Sequence, residues 1–148
     1  MKILFVCTGN TCRSPMALGL FRLLVRQKGT AGRFVLDSAG LSAAAGQPAS
    51  ENAVLACREA GIDLSGHRAR RITGSELVTW DTFFTMSRTH AYILEQAGAP
   101  AQKIYVPHYI EDPYGQDLPA YRRCRDKLAE ELALFYQQAA VPFLDRED

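Results

Sequence analysis

The segment richest in reactive side chains lies near the start of the chain, with two cysteines and an arginine among small polar residues. It reads Cys7-Thr8-Gly9-Asn10-Thr11-Cys12-Arg13-Ser14. Arg13 offers a planar fork that can bind two phosphate oxygens, and Gly9 and Asn10 tolerate the left-handed backbone of a tight anion-binding loop. A cysteine facing such a positive centre becomes a nucleophilic thiolate, so we expect the pKa of Cys7 to fall below that of a free thiol. The segment therefore predicts a phosphate-binding loop that carries a nucleophile.

The residues on either side of this loop predict the elements that hold it. The apolar run at residues 3–6 predicts a buried strand, and apolar residues at helical spacing predict a helix over residues 14–27. Pro15 stands where the first turn of a helix tolerates proline. A helix N-terminus presents unpaired N–H groups and a partial positive charge, so an anion in this loop would be stabilised.

The rest of the chain alternates between strand and helix patterns. Further strands are predicted at residues 33–37, 83–86 and 104–106, and further helices at 50–61, around 93–94 and at 119–139. Residues 38–40 are interpreted as the exit from the second strand, and a polar tail is expected from about residue 141. The pattern predicts one α/β domain over residues 1–148, a doubly wound sheet of about four parallel strands with helices on both faces. In such a sheet ligands bind at the carboxyl ends of the strands, where the loop lies.

Composition excludes several classes of function. The chain has 148 residues, 47% of them apolar, and its 17 basic and 16 acidic side chains give a net charge of +1. This balance calls for neither nucleic acid nor a membrane surface as partner. The opening apolar run is too short for a signal peptide or a membrane span, so we expect a cytoplasmic protein with reduced cysteines. A metal site is disfavoured because no second Cys or His pair stands at ligand spacing near Cys7 and Cys12.

The run from Val6 to Ala17 resembles the signature of the low-molecular-weight protein tyrosine phosphatases. Three further matches follow in the family's order: Asp37-Ser38-Ala39-Gly40, Gly61-Ile62-Asp63 before His67, and Asp112-Pro113-Tyr114-Gly115. The resemblance implies a phosphoric monoester hydrolase that works through a phospho-cysteine intermediate on phosphorylated proteins. It implies no metal and no other cofactor, and it leaves the oligomeric state open.

The resemblance also implies roles for individual residues. Cys7 is the nucleophile, Arg13 binds the phosphoryl group, and Asp112 is the general acid that later serves as a base. Ser14 donates a hydrogen bond to the Cys7 thiolate. The backbone from Thr8 to Cys12 completes the phosphate-binding loop.

Other matched residues support the loop rather than the reaction. Asn10, Ser38 and His67 match the network that holds the loop in shape, with His67 as a brace. Cys12 matches the family's second loop cysteine, which can trap an oxidised Cys7 as a disulfide. Whether that disulfide forms in the cell is left open.

Two positions bear on the substrate, and they disagree. Thr11 stands where phosphotyrosine-specific relatives carry a bulky aliphatic residue, and it resembles the protein-arginine phosphatase branch. A small hydroxyl suits a polar guanidinium better than a phenyl ring. Tyr114, however, stands where the arginine branch has Phe, and an aromatic ring stacks on either group. Both substrates stay open, with phosphoarginine favoured by Thr11.

Two other functions fit a similar anion loop. An arsenate reductase of the same fold passes a disulfide along further cysteines after the third strand, but here Met86 and Ser87 occupy that region. The chain has no cysteine between Cys57 and Cys124, and both of these are expected in the core. A non-catalytic phosphoprotein-binding module would have lost one of the three catalytic residues, and all three are present.

Overall fold

The structure, a computed structural model, describes residues 1–147 and is built on a four-stranded parallel sheet. The strands are β1 (Lys2–Cys7), β2 (Val35–Gly40), β3 (Thr82–Thr85) and β4 (Ile104–Tyr105). Their order in the sheet is β2-β1-β3-β4, and every neighbouring pair is parallel. The chain winds outward in one direction from β1 to β2 and in the other from β1 to β3 and β4. A crevice opens at such a reversal, beyond the carboxyl end of β1.

Helices cover both faces of this sheet. They are α1 (Arg13–Gln27), α2 (Glu51–Glu59), α3 (Arg88–Ala97), α4 (Leu118–Phe135) and α5 (Val141–Glu147). Successive side chains of β1 point to opposite faces, so Ile3 and Phe5 join the core under α1 and α4. Leu4 and Val6 join a second core with Leu94 of α3. The α/β fold predicted from the sequence is confirmed.

Aromatic rings fix α1 against the strand that leads into the loop. The ring of Phe5 on β1 lies 5.6 Å from Phe21 of α1 and 5.5 Å from Phe84 of β3, centroid to centroid. Phe84 in turn contacts Phe135 of α4 edge-on at 5.2 Å. Ring pairs at these separations and tilts are favourable beyond the area they bury. These ring contacts hold β1 and α1 against each other.

The second strand runs further than the sequence pattern suggests. Residues 38–40, expected as its exit, pair with β1 until Gly40 lies opposite Cys7. A Cβ at Gly40 would lie 2.6 Å from the carbonyl oxygen of Thr8. Glycine is therefore needed where β2 passes under the loop. The third strand begins and ends one residue earlier than expected, so Met86 falls just after its end.

The expectation of a polar tail from about residue 141 is wrong. A π-helical segment, Tyr136–Ala140, joins α4 to α5, so the chain is helical through residue 147. The wider π turn brings Ala140 and Leu144 back to the buried side of the helix. The carbonyl of Leu144 also accepts a hydrogen bond from Arg33 at 3.1 Å. Asp148, the last residue of the expected tail, lies outside the described residues.

Candidate active site

A cavity of about 370 Å³ opens at the carboxyl end of β1. Cys7 ends β1 and Arg13 begins α1, so both residues are placed by rigid elements. The cavity is lined by Cys7, Thr8, Gly9, Thr11, Cys12, Arg13, Ser42, Ala44, Gln47, Asp112 and Tyr114. The structure therefore brings together the three residues expected to carry the chemistry, Cys7, Arg13 and Asp112.

Asn10 holds the shape of the loop from inside. Its φ of 56° is in the left-handed region, which asparagine tolerates better than most residues. The side chain is fully buried, and its amide donates to Ser14 Oγ at 2.8 Å and to Ser38 Oγ at 3.0 Å. Its Oδ1 accepts the backbone N–H of Arg70 at 3.0 Å. Glycine would allow the backbone conformation but would lose all three hydrogen bonds.

The hydroxyl of Ser14 is aimed at the sulfur of Cys7. Because Ser14 Oγ accepts from Asn10, its own proton is free to donate to Cys7 Sγ, 2.9 Å away. The backbone N–H of Asn10 also donates to this sulfur at 3.3 Å. Donors placed this way favour a thiolate over a thiol.

Burial has the opposite effect on Cys7. Only 4% of the residue is exposed, and this burial raises the pKa of the Cys7 thiol above its ordinary value. Hydrogen bonds with Ser14 and Asn10 and the charge of Arg13 lower the pKa, but by less. The lowered pKa expected from the sequence is therefore wrong. The residue types of the loop disclose its positive groups, whereas the depth of the sulfur is set by the packing of distant segments.

Arg13 connects the loop to the segment that carries Asp112. Its Nη1 donates to the carbonyl of Ile110 at 3.2 Å, and its Nη2 lies 3.4 Å from Asp112 Oδ2. The guanidinium is buried, whereas 52% of the Asp112 side chain is exposed. Asp112 Oδ1 also accepts the backbone N–H of Tyr114 at 3.1 Å, which holds the carboxyl group at the mouth of the cavity.

The family model described as low molecular weight phosphotyrosine protein phosphatase matches residues 2–141 of this chain. The chain belongs to this family. It is therefore an enzyme of the phosphatase class, and the arsenate reductase and binding-module alternatives are set aside.

Individual relatives within the family differ in the substrate their names give. A protein-arginine-phosphatase of Bacillus subtilis (strain 168) is 33% identical over 147 residues, covering 93% of this chain and 96% of its own. A low molecular weight phosphotyrosine protein phosphatase of Sus scrofa is 33% identical over 140 residues, covering 83% and 88%. A solved structure of the YwlE arginine phosphatase superposes with a TM-score of 0.85 at 31% identity, covering 94% of this chain and 97% of its own. In that structure a serine replaces the active-site cysteine, and this serine is phosphorylated.

The supporting residues expected of a low molecular weight phosphatase surround the loop. His67 Nε2 donates to the carbonyl of Asn10 at 2.6 Å, and Ser38 on β2 receives the hydrogen bond from Asn10. Cys12 lies 3.3 Å from the hydroxyl of Tyr121 and donates to Ser50 Oγ at 3.4 Å. Both Cys7 and Cys12 are free thiols in this phosphatase.

Thr11 and Tyr114 both line the cavity, as the substrate argument from the sequence requires. Thr11 is half-buried in the loop, and its carbonyl accepts the N–H of Ser50 at the start of α2. Tyr114 is 73% exposed, so its ring stands at the rim. The phosphatase pocket thus has one polar wall from its own loop and one aromatic side.

Two parts of this phosphatase site were missed in the sequence. The loop after β2 supplies Ser42, Ala44 and Gln47 to the cavity wall. These residues are small or polar and show no periodicity, so the sequence pattern does not mark them as site residues. The one available indication is that their loop follows the carboxyl end of a strand, where ligands bind in such sheets. The other missed residue is His90, whose ring is buried beside Thr8. Its position three residues after a helix-capping serine was the available signal.

Proposed function

We propose that this chain removes phosphoryl groups from phosphorylated proteins through a covalent phospho-cysteine, with Cys7, Arg13 and Asp112 as catalytic residues. The observation that carries the proposal is that Cys7, Arg13 and Asp112 line one cavity, in which Arg13 is paired with the carboxyl group of Asp112. Ser14 supports the sulfur from behind, and the carboxyl group of Asp112 stands at the mouth. The serine phosphorylated in the YwlE structure supports a covalent intermediate at the corresponding position.

In the first step the thiolate of Cys7 attacks phosphorus. The P–S bond forms as the bond from phosphorus to the leaving atom breaks, and Asp112 gives its proton to that atom. Ser14, Asn10 and Arg13 each favour this thiolate form and so act against the burial that raises the pKa of the Cys7 thiol. The fork of Arg13 and the loop amides bind the three phosphoryl oxygens as charge shifts in the transition state.

In the second step Asp112, now a carboxylate, takes a proton from water. The water oxygen bonds to phosphorus, the P–S bond breaks, and inorganic phosphate leaves. The electron pair returns to Cys7 Sγ, where the Ser14 hydroxyl at 2.9 Å stabilises the departing thiolate. Asp112 ends the cycle protonated, as it began.

We propose phosphoarginine as the preferred substrate, with phosphotyrosine as the alternative. Besides Tyr114, the cavity is lined by Thr11, Ser42 and Gln47, whose oxygens can accept the N–H groups of a guanidinium. A phenol ring would leave these groups without partners, which costs binding energy.

The experiment that tests the function compares kcat/KM on phosphoarginine and phosphotyrosine peptides of the same flanking sequence. Activity on neither peptide would overturn the proposed function.

Replacing Asp112 by asparagine tests the general acid. We expect Asp112→Asn to lower phosphotyrosine hydrolysis by about 100-fold or more, because the phenolate then leaves without a proton. An ester of an acidic phenol should be spared at the phosphoryl-transfer step, measured as the pre-steady-state burst. Glu111→Gln is the matched control, because Glu111 is the exposed carboxylate next to Asp112 and does not line the cavity. Equal burst losses on both esters would mean that Asp112 only positions its loop.

Replacing Thr11 by isoleucine tests the substrate assignment. We expect Thr11→Ile to lower kcat/KM on phosphoarginine and to preserve or raise it on phosphotyrosine, because the apolar side chain suits a ring but not a guanidinium. The ratio of the two activities should change by about 10- to 200-fold. Thr11→Ser keeps the hydroxyl and should retain the phosphoarginine preference. A parallel fall on both substrates would make phosphotyrosine the better assignment.

We further propose that residues 1–148 act as one cytoplasmic domain whose partners are phosphorylated proteins, with neither nucleic acid nor membrane among them. A reaction that needs a free Cys7 suits a reducing compartment, and all four cysteines are unpaired in the structure. No helix within residues 1–147 is long and apolar enough to cross a bilayer.

A further inference from the structure

A histidine from the far side of the sheet reaches the phosphate-binding loop. His90 lies in the first turn of α3 and is only 5% exposed. Its Nε2 is 2.8 Å from Thr8 Oγ1, and its Nδ1 is 2.9 Å from Ser87 Oγ. Thr8 directly follows Cys7 and lines the same cavity. The chain of hydrogen bonds from Ser87 through His90 to Thr8 therefore ends at the cavity proposed to bind the phosphoryl group.

The hydrogen bonds of Ser87 indicate which nitrogen of His90 carries the proton. Ser87 caps α3, and its Oγ accepts the backbone N–H of His90 at 3.3 Å. That leaves the Ser87 proton available to donate to Nδ1, which lies 2.9 Å away. Within residues 1–147 the structure shows no other hydrogen bond to the Ser87 or Thr8 hydroxyl. With Nδ1 accepting, the ring proton sits on Nε2 and points at Thr8 Oγ1.

The ring stays neutral in this position, as that assignment requires. Burial, and after it the charge of Arg13, lowers the pKa of His90 to about 4. At neutral pH one ring nitrogen therefore donates and the other accepts. A cationic ring would donate from both nitrogens and would compete with the Ser87 proton.

We propose that His90 is a positioning residue that donates its Nε2 proton to Thr8 Oγ1, so that the Thr8 hydroxyl donates to the bound phosphoryl group. The inference rests on the proposed function, because it assigns a further phosphate-binding donor in the same cavity. Thr8 adds a side-chain hydrogen bond to those of the loop amides and Arg13. In the opposite tautomer Nε2 would accept the proton of the Thr8 hydroxyl. That proton could then not be donated to a phosphoryl group in the cavity.

The test measures inhibition by inorganic phosphate, the product of the reaction, together with kcat/KM. We expect Thr8→Val, which removes the hydroxyl and keeps the shape, to weaken phosphate binding by roughly 10-fold, as for a lost hydrogen bond to a charged group. Thr8→Ser should stay within about threefold of the wild type, because it keeps the donor. Thr85→Val is the matched control, since the Thr85 hydroxyl donates to the Tyr105 carbonyl and does not line the cavity. It should leave phosphate binding unchanged.

Variants of His90 distinguish positioning from simple structural support. His90→Leu should weaken phosphate as much as Thr8→Val, and His90→Gln, which can place an amide N–H near Thr8, should recover part of the loss. In the Thr8→Val background, His90→Leu should add less than about twofold, because the hydrogen bond it supports is already absent. Fully additive losses would overturn the positioning role.

A measurement on the unmodified enzyme covers the case in which a variant does not fold. The ¹⁵N shifts of the His90 ring, recorded with saturating inorganic phosphate, should show the proton on Nε2. A proton on Nδ1 would overturn the inference. A Thr8→Val variant with wild-type phosphate affinity would also overturn the inference about His90. If the Cys7→Ser variant is inactive in the same experiments, the proposed function still stands. Failure of the proposed function appears earlier, as a wild-type enzyme inactive on both phosphopeptides.

Discussion

Replacing Cys7 by serine is expected to lower kcat by about a thousandfold or more, because a serine hydroxyl is a far weaker nucleophile than a thiolate. Phosphate binding should survive, since Arg13 and the loop amides are unchanged. Any phosphoryl group that reaches Ser at this position should stay there, because an alkoxide leaves phosphorus much less readily than a thiolate. Steady-state turnover, inhibition by inorganic phosphate and intact-protein mass spectrometry measure the three effects.

Cys57→Ala is the matched control for this substitution. Cys57 is fully buried in α2 and does not line the cavity. Its replacement should lower stability more than activity. A Cys7→Ser enzyme that keeps more than a few per cent of wild-type kcat would rule out the covalent mechanism.

Replacing Arg13 by lysine is expected to lower kcat by about a hundredfold or more, although the charge is kept. Lysine cannot bind two phosphoryl oxygens with one planar group. In this structure it would also lose the fork that joins the Ile110 carbonyl to Asp112. The loss should fall mainly on kcat, because the fork matters most as charge builds on the phosphoryl oxygens.

Arg22→Lys is the matched control for Arg13→Lys. Arg22 lies on the same helix but is exposed and outside the cavity, so kcat should not change. An Arg13→Lys enzyme with near-normal kcat would remove Arg13 from the transition state. A rise in KM alone would assign it to ground-state binding instead.

The parts of this molecule that could be predicted from sequence are those in which neighbours along the chain are neighbours in space. The loop between β1 and α1 is one continuous segment, so its residue types and its flanking periodicity disclose it together. The sheet follows from the same alternation of strand and helix patterns. The order of its strands places this loop at the reversal, as the doubly wound pattern requires.

The parts that could not be predicted depend on contacts between distant segments. Gln47 reaches the cavity from a loop without periodicity, and His90 reaches Thr8 across 82 positions of sequence. The helix at residues 141–147 depends on a π turn that restores the buried face, and its polar residues hide that from a pattern search. The raised pKa of Cys7 comes from burial, which only the folded chain shows.

The hydrogen bonds of Asn10 have a consequence for how the enzyme acquires its activity. They reach Ser38, His67 and Arg70, at sequence separations of 28, 57 and 60 residues. Contacts of such long range form only after the chain has closed large loops, which makes them late and slow in folding. A nascent or partly unfolded chain can carry the complete loop sequence and still lack the geometry around Cys7. The active geometry is therefore complete only in the fully folded chain. Local unfolding of a segment that is distant from Cys7 in sequence can abolish activity before the whole chain unfolds.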